Sequence, residues 1–232
     1  MKKTLITLSA CLIAGIAISQ IDCANTSVGY APINDLGTGI SPQTGKMGGL
    51  YPNGSNYMPA THKTAGLSFA SQVQCLDANG NPDAINGKIV WLSIGLSNTT
   101  QESQVFIPAA NAFSGKNPKL TLIDGAVGSH TARAWSTPSD PKYAAWDTVN
   151  LRLANAGLTA NQVQVIWFKH ANGSGGVPVQ EYYDSLVVQF KRIMNEIKTR
   201  FPNVKLCYLS SRIYAGYALG NLNPEPYSYW TG

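Results

Sequence analysis

Four short polar clusters in this chain have residue types and spacing that suit acyl-transfer chemistry. The first, Gly95-Leu96-Ser97-Asn98-Thr99-Thr100-Gln101-Glu102, puts a serine where an apolar run gives way to a helical pattern. A serine at a strand-to-helix turn has its hydroxyl exposed at the sheet edge. It also lies at a helix N-terminus, where free N–H groups favour developing negative charge. The second, Asp124-Gly125-Ala126-Val127-Gly128-Ser129-His130, is a loop whose two glycines let backbone approach a ligand closely. The third, Lys169-His170-Ala171-Asn172-Gly173, offers an asparagine side chain that can donate to an oxyanion. The fourth, Ser210-Ser211-Arg212-Ile213-Tyr214-Ala215-Gly216-Tyr217, carries Arg212, a candidate to bind a substrate carboxylate or to pair with Glu102.

Each cluster also has a purely structural reading. Ser97 or Asn98 followed by Gln101 or Glu102 fits a helix capping box. The glycine loop fits an ordinary turn, Asn172 a loop residue before glycine, and Arg212 a structural ion pair. If Ser97 acts as a nucleophile, the Asn172 amide is a candidate donor to the oxyanion. A base must then take the serine proton. The chain has three histidines. His130 and His170 sit on strand-end loops and are candidate substitute bases, whereas His62 belongs to an early helical segment.

Regular elements must position these clusters. Apolar runs at Lys88 to Gly95, Lys119 to Asp124, Val163 to Phe168 and Val204 to Leu209 are continuous rather than alternating. That is the pattern of strands buried on both faces. Helical patterns fill the gaps, over 98–113 with Pro108 as a kink or early end, over 143–156, and over 179–200. In the last, Tyr183, Leu186, Val187, Phe190, Ile193, Met194 and Ile197 form one apolar stripe, read as core packing. A further helix is expected within 59–74. Strand and helix alternating four times predicts an α/β fold: three layers, α/β/α, around a parallel, doubly wound, flavodoxin-like sheet. In such sheets ligands sit outside the carboxyl ends of the strands, where all four clusters fall.

The order Ser after the first strand, Gly after the second and Asn after the third resembles the SGNH hydrolase superfamily, the GDSL-type esterases. Ser97, Gly128 and Asn172 match its block I serine, block II glycine and block III asparagine. The resemblance spans about residues 88 to 217. The strings Ile94 to Glu102 and Ser210 to Tyr217 resemble an uncharacterised SGNH-like group of exported bacterial proteins. It implies a serine nucleophile, with the backbone N–H groups of Ser97 and Gly128 joining the Asn172 side chain as an oxyanion hole. Two positions depart from the family pattern, Leu96 where it has Asp and Lys169 where it has Gly. The family takes its catalytic Asp and His from an Asp-x-x-His block after a fifth strand. Here no Asp-x-x-His follows residue 204 and no histidine follows His170. The fifth strand and C-terminal helix are therefore expected to be missing. Strand four should then be an open edge that favours self-association, in a less stable domain.

The remaining sequence bounds the setting. Lys2 and Lys3 precede an apolar stretch over 4–18, and Ala17-Ile18-Ser19 suits signal-peptidase cleavage before Gln20. The stretch is shorter than the roughly 20 residues of a spanning helix. Cys11 follows Leu8-Ser9-Ala10 too early in the run for lipidation. Residues 1–19 thus read as a signal peptide, 20–87 as a Gly/Asn/Pro-rich arm with one helix, and 88–232 as a partial SGNH-like domain. A secreted or periplasmic location follows. Loss of the leader removes two lysines from a formal charge of +5. The mild excess left, with no basic run, argues against nucleic-acid binding. Cys23, Cys75 and Cys207 remain and allow at most one internal disulfide, with Cys207 expected in the core. No cysteine–histidine spacing suits a metal, and no Walker or GxGxxG motif follows the first strand. No cofactor is implied. The expected function is an exported ester hydrolase, a carbohydrate deacetylase, inactive if the Asp-x-x-His block is absent. The alternative is a non-catalytic exported binding or structural protein that keeps the fold.

Overall fold

The computed structural model describes residues 29–42, 45–173, 176–210 and 225–232. The leader expected over 1–19, Cys23 and Arg212 lie outside the described residues.

Four strands form one parallel sheet: β1 (Ile89–Gly95), β2 (Leu120–Asp124), β3 (Val163–Lys169) and β4 (Leu206–Leu209). Their order is β2-β1-β3-β4, with every pairing parallel. The chain goes out from β1 to β2, then crosses back to β3 on the other side. The carboxyl ends of β1 and β3 therefore flank the switch point, the usual place for a ligand in an open α/β sheet.

One face of the sheet carries the core. Val90, Leu92 and Ile94 of β1 and Ile166 and Phe168 of β3 are buried there. They pack against α5 (Ala145–Asn155) and α6 (Val179–Arg200). Trp146, Val149 and Leu153 supply the α5 face. On α6 the fully packed stripe is Tyr182, Leu186, Ile193 and Ile197. It begins at Tyr182, while Tyr183 is only half-buried; steps of four, seven and four residues keep these side chains on one side of the helix. The short α4 (Ala132–Ser136) adds Trp135, whose ring meets Trp146 edge-on with centroids 4.6 Å apart.

The other face is covered more thinly. α3 (Ser97–Ala112) lies over it and brings Phe106 to Trp91, with centroids 5.6 Å apart. Trp91 and Trp167 stack at 6.0 Å and are half-buried, so β1 and β3 are not enclosed on both faces as their continuous apolar runs implied. Pro108 does not end α3. The proline lacks only the N–H that would have reached the Gln104 carbonyl, and the helix continues to Ala112. Helices on both faces make three layers.

The preceding segment contains α1 (Ile33–Leu36) and α2 (Ala60–Ala70). α2 buries no residue, and its Leu67 and Phe69 are exposed, so its spacing does not reflect core packing. Residues 74–88 strap the amino end of β3. Gln162 Nε2 donates to the Leu76 carbonyl at 2.9 Å, and Gln164 Nε2 donates to that of Gln74 at 2.6 Å. At the other end, α7 (Tyr227–Thr231) sets Tyr227 edge-on and Trp230 tilted against Tyr182. No helix among the described residues is long and apolar enough to cross a membrane.

Candidate functional site

Ser97 is the first residue of α3, and Leu96 takes the N-cap position with no side-chain cap hydrogen bond. The capping-box reading thus does not describe this helix start. Glu102, its proposed partner, instead reaches Lys169, with Oε1 2.6 Å from Nζ. The turn into α3 is tight. A Cβ on Gly95 would lie 2.1 Å from the Lys169 carbonyl oxygen and 2.2 Å from Thr99 Oγ1, so only glycine fits there. Thr99 Oγ1 donates to that carbonyl at 2.7 Å, which anchors the first turn of α3 to the end of β3.

A carboxylate ties the same turn to β2. Asp124 Oδ1 accepts from Ser93 Oγ at 2.9 Å and from the Ala126 N–H at 3.0 Å. Its Oδ2 accepts from Thr100 Oγ1, three residues after Ser97. Arg152 Nη1 donates to the carbonyls of Asp124 and Ala126 at 2.7 and 2.8 Å. The Val127 N–H closes on the Gly95 carbonyl at 3.0 Å. The glycine loop and the start of α3 are thus one braced unit. A Cβ built on Gly128 would point at Ser97 Cβ from 3.8 Å. A side chain at 128 would stand in contact with Ser97.

The loop then turns through Ser129, whose φ of 62° lies in the left-handed region. His130 Nδ1 comes to 2.6 Å from the Gly128 carbonyl oxygen. A carbonyl can only accept, so Nδ1 carries the hydrogen and Nε2 is left with the basic lone pair. His170 is placed differently. It is 1% exposed and its ring contacts Trp135 and Phe168 at centroid distances of 5.8 and 5.5 Å. The β3 alternation turns it into the core, while Lys169 faces α3. His62 is exposed and lies near Tyr51.

Asn172 is held at both ends of its amide. Oδ1 accepts from the Arg133 N–H at 3.1 Å, and Nδ2 donates to Gln189 Oε1 at 2.7 Å. These bonds fix which end is the NH₂ and leave one of its two hydrogens uncommitted among the described residues. Ala132 N–H to Ala171 carbonyl, 3.0 Å, joins the start of α4 to this loop. The N–H groups of Ser97 and Gly128 likewise have no partner among the described residues.

Asp124, Arg152 and Gln189 were not singled out by sequence. An aspartate ending a strand just before a glycine was the one available signal. Gln189 gave none, because its position on a helix says nothing about a loop seventeen residues earlier. Among the described residues no group of three or more His, Cys, Asp or Glu side chains could hold a metal ion. Compared with known proteins, the chain matches no family model and no curated sequence.

Proposed function

We propose that this chain is a serine ester hydrolase of SGNH type, acting as a deacetylase on an acylated carbohydrate. The observation that supports the reading best is the approach of Gly128 to Ser97 at the switch point of the sheet, close enough that a Cβ built on Gly128 would lie 3.8 Å from Ser97 Cβ. Support also comes from N–H groups on both residues that have no partner among the described residues, and from a pinned Asn172 amide with one hydrogen uncommitted among them.

Ser97 Oγ attacks the acyl carbonyl while His130 Nε2 takes its proton. The carbonyl π electrons move to oxygen, where the N–H groups of Ser97 and Gly128 and the Asn172 amide stabilise the charge. Collapse breaks the ester C–O bond, and the sugar hydroxyl leaves with the proton from His130. Water, deprotonated by His130, then releases acetate and regenerates Ser97. A peptide carbonyl, that of Gly128, orients His130 in place of the acid of a triad. Arg212 is kept as a candidate carboxylate-binding residue.

A fluorophosphonate probe tests the reading. Labelling of wild type that is lost in both Ser97→Ala and His130→Ala is expected. No labelling of folded wild type sinks it. That outcome would favour the second reading, a binding protein on the same fold, which Leu96 in place of the family's Asp already favours.

A further inference from the structure

A groove of about 790 Å³ runs between α4 and α6. Gln180, Asp184, Val188 and Arg192 wall it along α6, and Arg133 and Thr137 face them from the α4 side. The α6 residues are four apart, so they form one exposed stripe about 18 Å long. Val188 is the single apolar side chain among the residues that line it. The rest are guanidinium, carboxylate, amide and hydroxyl groups, with donors and acceptors at every turn. Among the described residues neither Arg133 nor Arg192 forms an ion pair. Asp184 Oδ1 accepts from Gln180 Nε2 at 2.9 Å, leaving Oδ2 open.

The groove backs onto the candidate site. Gln189 and Arg133 both line it, and they are the two residues that hold the Asn172 amide. A ligand lying along α6 therefore ends against the wall that Asn172 shares.

We propose that this groove binds a neutral glycan chain. Its polar heads meet hydroxyls, while most of the lining area is apolar, from Val188 and the aliphatic stems of the polar side chains, and suits the C–H faces of sugar rings. Glu181 and Asp184 stand among the arginines, so a polyanion is repelled as well as attracted. Planar guanidinium, amide and carboxylate groups suit a ligand that presents a hydroxyl donor and acceptor at every ring. The stripe is long enough for several sugar rings in a row. That the ester-bearing ring lies at Ser97 rests on the hydrolase reading, whereas binding along α6 does not.

The test uses the Ser97→Ala protein, which cannot turn over an ester through that serine. It is titrated calorimetrically with cello-, xylo-, manno- and chito-hexaose, each partly O-acetylated. Binding of at least one is expected. Arg192→Ala and Asp184→Ala should each weaken it about tenfold, the loss of one charge-assisted hydrogen bond. Lys198→Ala, on α6 but outside the groove, serves as the control. Binding of none of the four, or binding that both substitutions leave unchanged, overturns the proposal. Glycan binding that depends on Arg192, in a protein whose wild type takes no fluorophosphonate, would sink the hydrolase reading alone.

Discussion

Asn172 has one amide hydrogen committed to Gln189 and its oxygen committed to the Arg133 N–H. On the hydrolase reading its remaining hydrogen is the oxyanion donor, held in place before the reaction rather than reorganised during it. Removing one such donor typically costs about 3 kcal/mol of barrier. Asn172→Ala should therefore lower kcat on 4-nitrophenyl acetate by roughly a hundredfold, with KM little changed. An unchanged kcat in a variant with native circular dichroism would remove Asn172 from the mechanism. A second residue-scale effect concerns Cys207, a free thiol, as is Cys75. Burial pushes Cys207 from its ordinary value near 9 up to about 11. The folded chain keeps the proton over a range in which the unfolded chain loses it. Stability is thus intact below about pH 9 and falls as pH rises toward 11. Urea midpoints across that range should decline, and Cys207→Ala should flatten the decline. A slope that survives the substitution would assign it to another group.

α3 carries Ser97, and two anchors, one buried and one partly buried, hold its first turns. The Thr99 hydroxyl fastens it to the backbone of β3, and Glu102 fastens it to the Lys169 ammonium, whose side chain is 3% exposed. Such a lysine depends on its carboxylate, because an ammonium out of water and unpaired is costly. Glu102 itself is about one-third exposed, which limits the loss. Glu102→Gln should destabilise the fold by about 1–3 kcal/mol in urea unfolding. Lys169→Met removes the buried charge, keeps the volume and leaves the partner carboxylate, that of Glu102, in reach of water, so it should cost less than Glu102→Gln. If the two variants unfold alike, the ion pair is not what holds α3. The extent of this helix was readable from spacing to within a residue at each end, but its manner of starting was not. Ser97, Gln101 and Glu102 have the composition of a capping box, yet the contact that decided their roles comes from Lys169, 67 residues further on.

At the scale of the molecule, β4 is one margin of the sheet, with no strand on its outer side among the described residues. Tyr208 and Leu209 are 57% and 60% exposed there. An edge of this kind, apolar and without a charged residue, can pair with another chain. Sedimentation velocity over a concentration series should show the protein associating, and Leu209→Lys should shift it toward monomer. A wild type that stays monomeric at every concentration would show the edge to be protected. The sheet's two sides also differ. α5 and α6 seal one, while the Trp91–Trp167–Phe106 side is left partly open.

The four strands, the three long helices and their alternation follow from local pattern alone. Continuous β-rich runs and 3.6-residue stripes reflect what each segment must bury, and that is written in the segment itself. Ser97, Gly128 and Asn172 could be placed at strand ends for the same reason. What pattern could not carry is anything that depends on residues distant in sequence meeting. Only the tertiary structure turned His170 into the core and left His130 on the Gly128 carbonyl, although both stand on strand-end loops. It alone set Asp124, Arg152 and Gln189 behind the candidate site, because hydrogen bonds across 17 to 31 residues leave no periodic trace. The polar strand ends were therefore legible as a set, and the bracing that gives them a geometry was not.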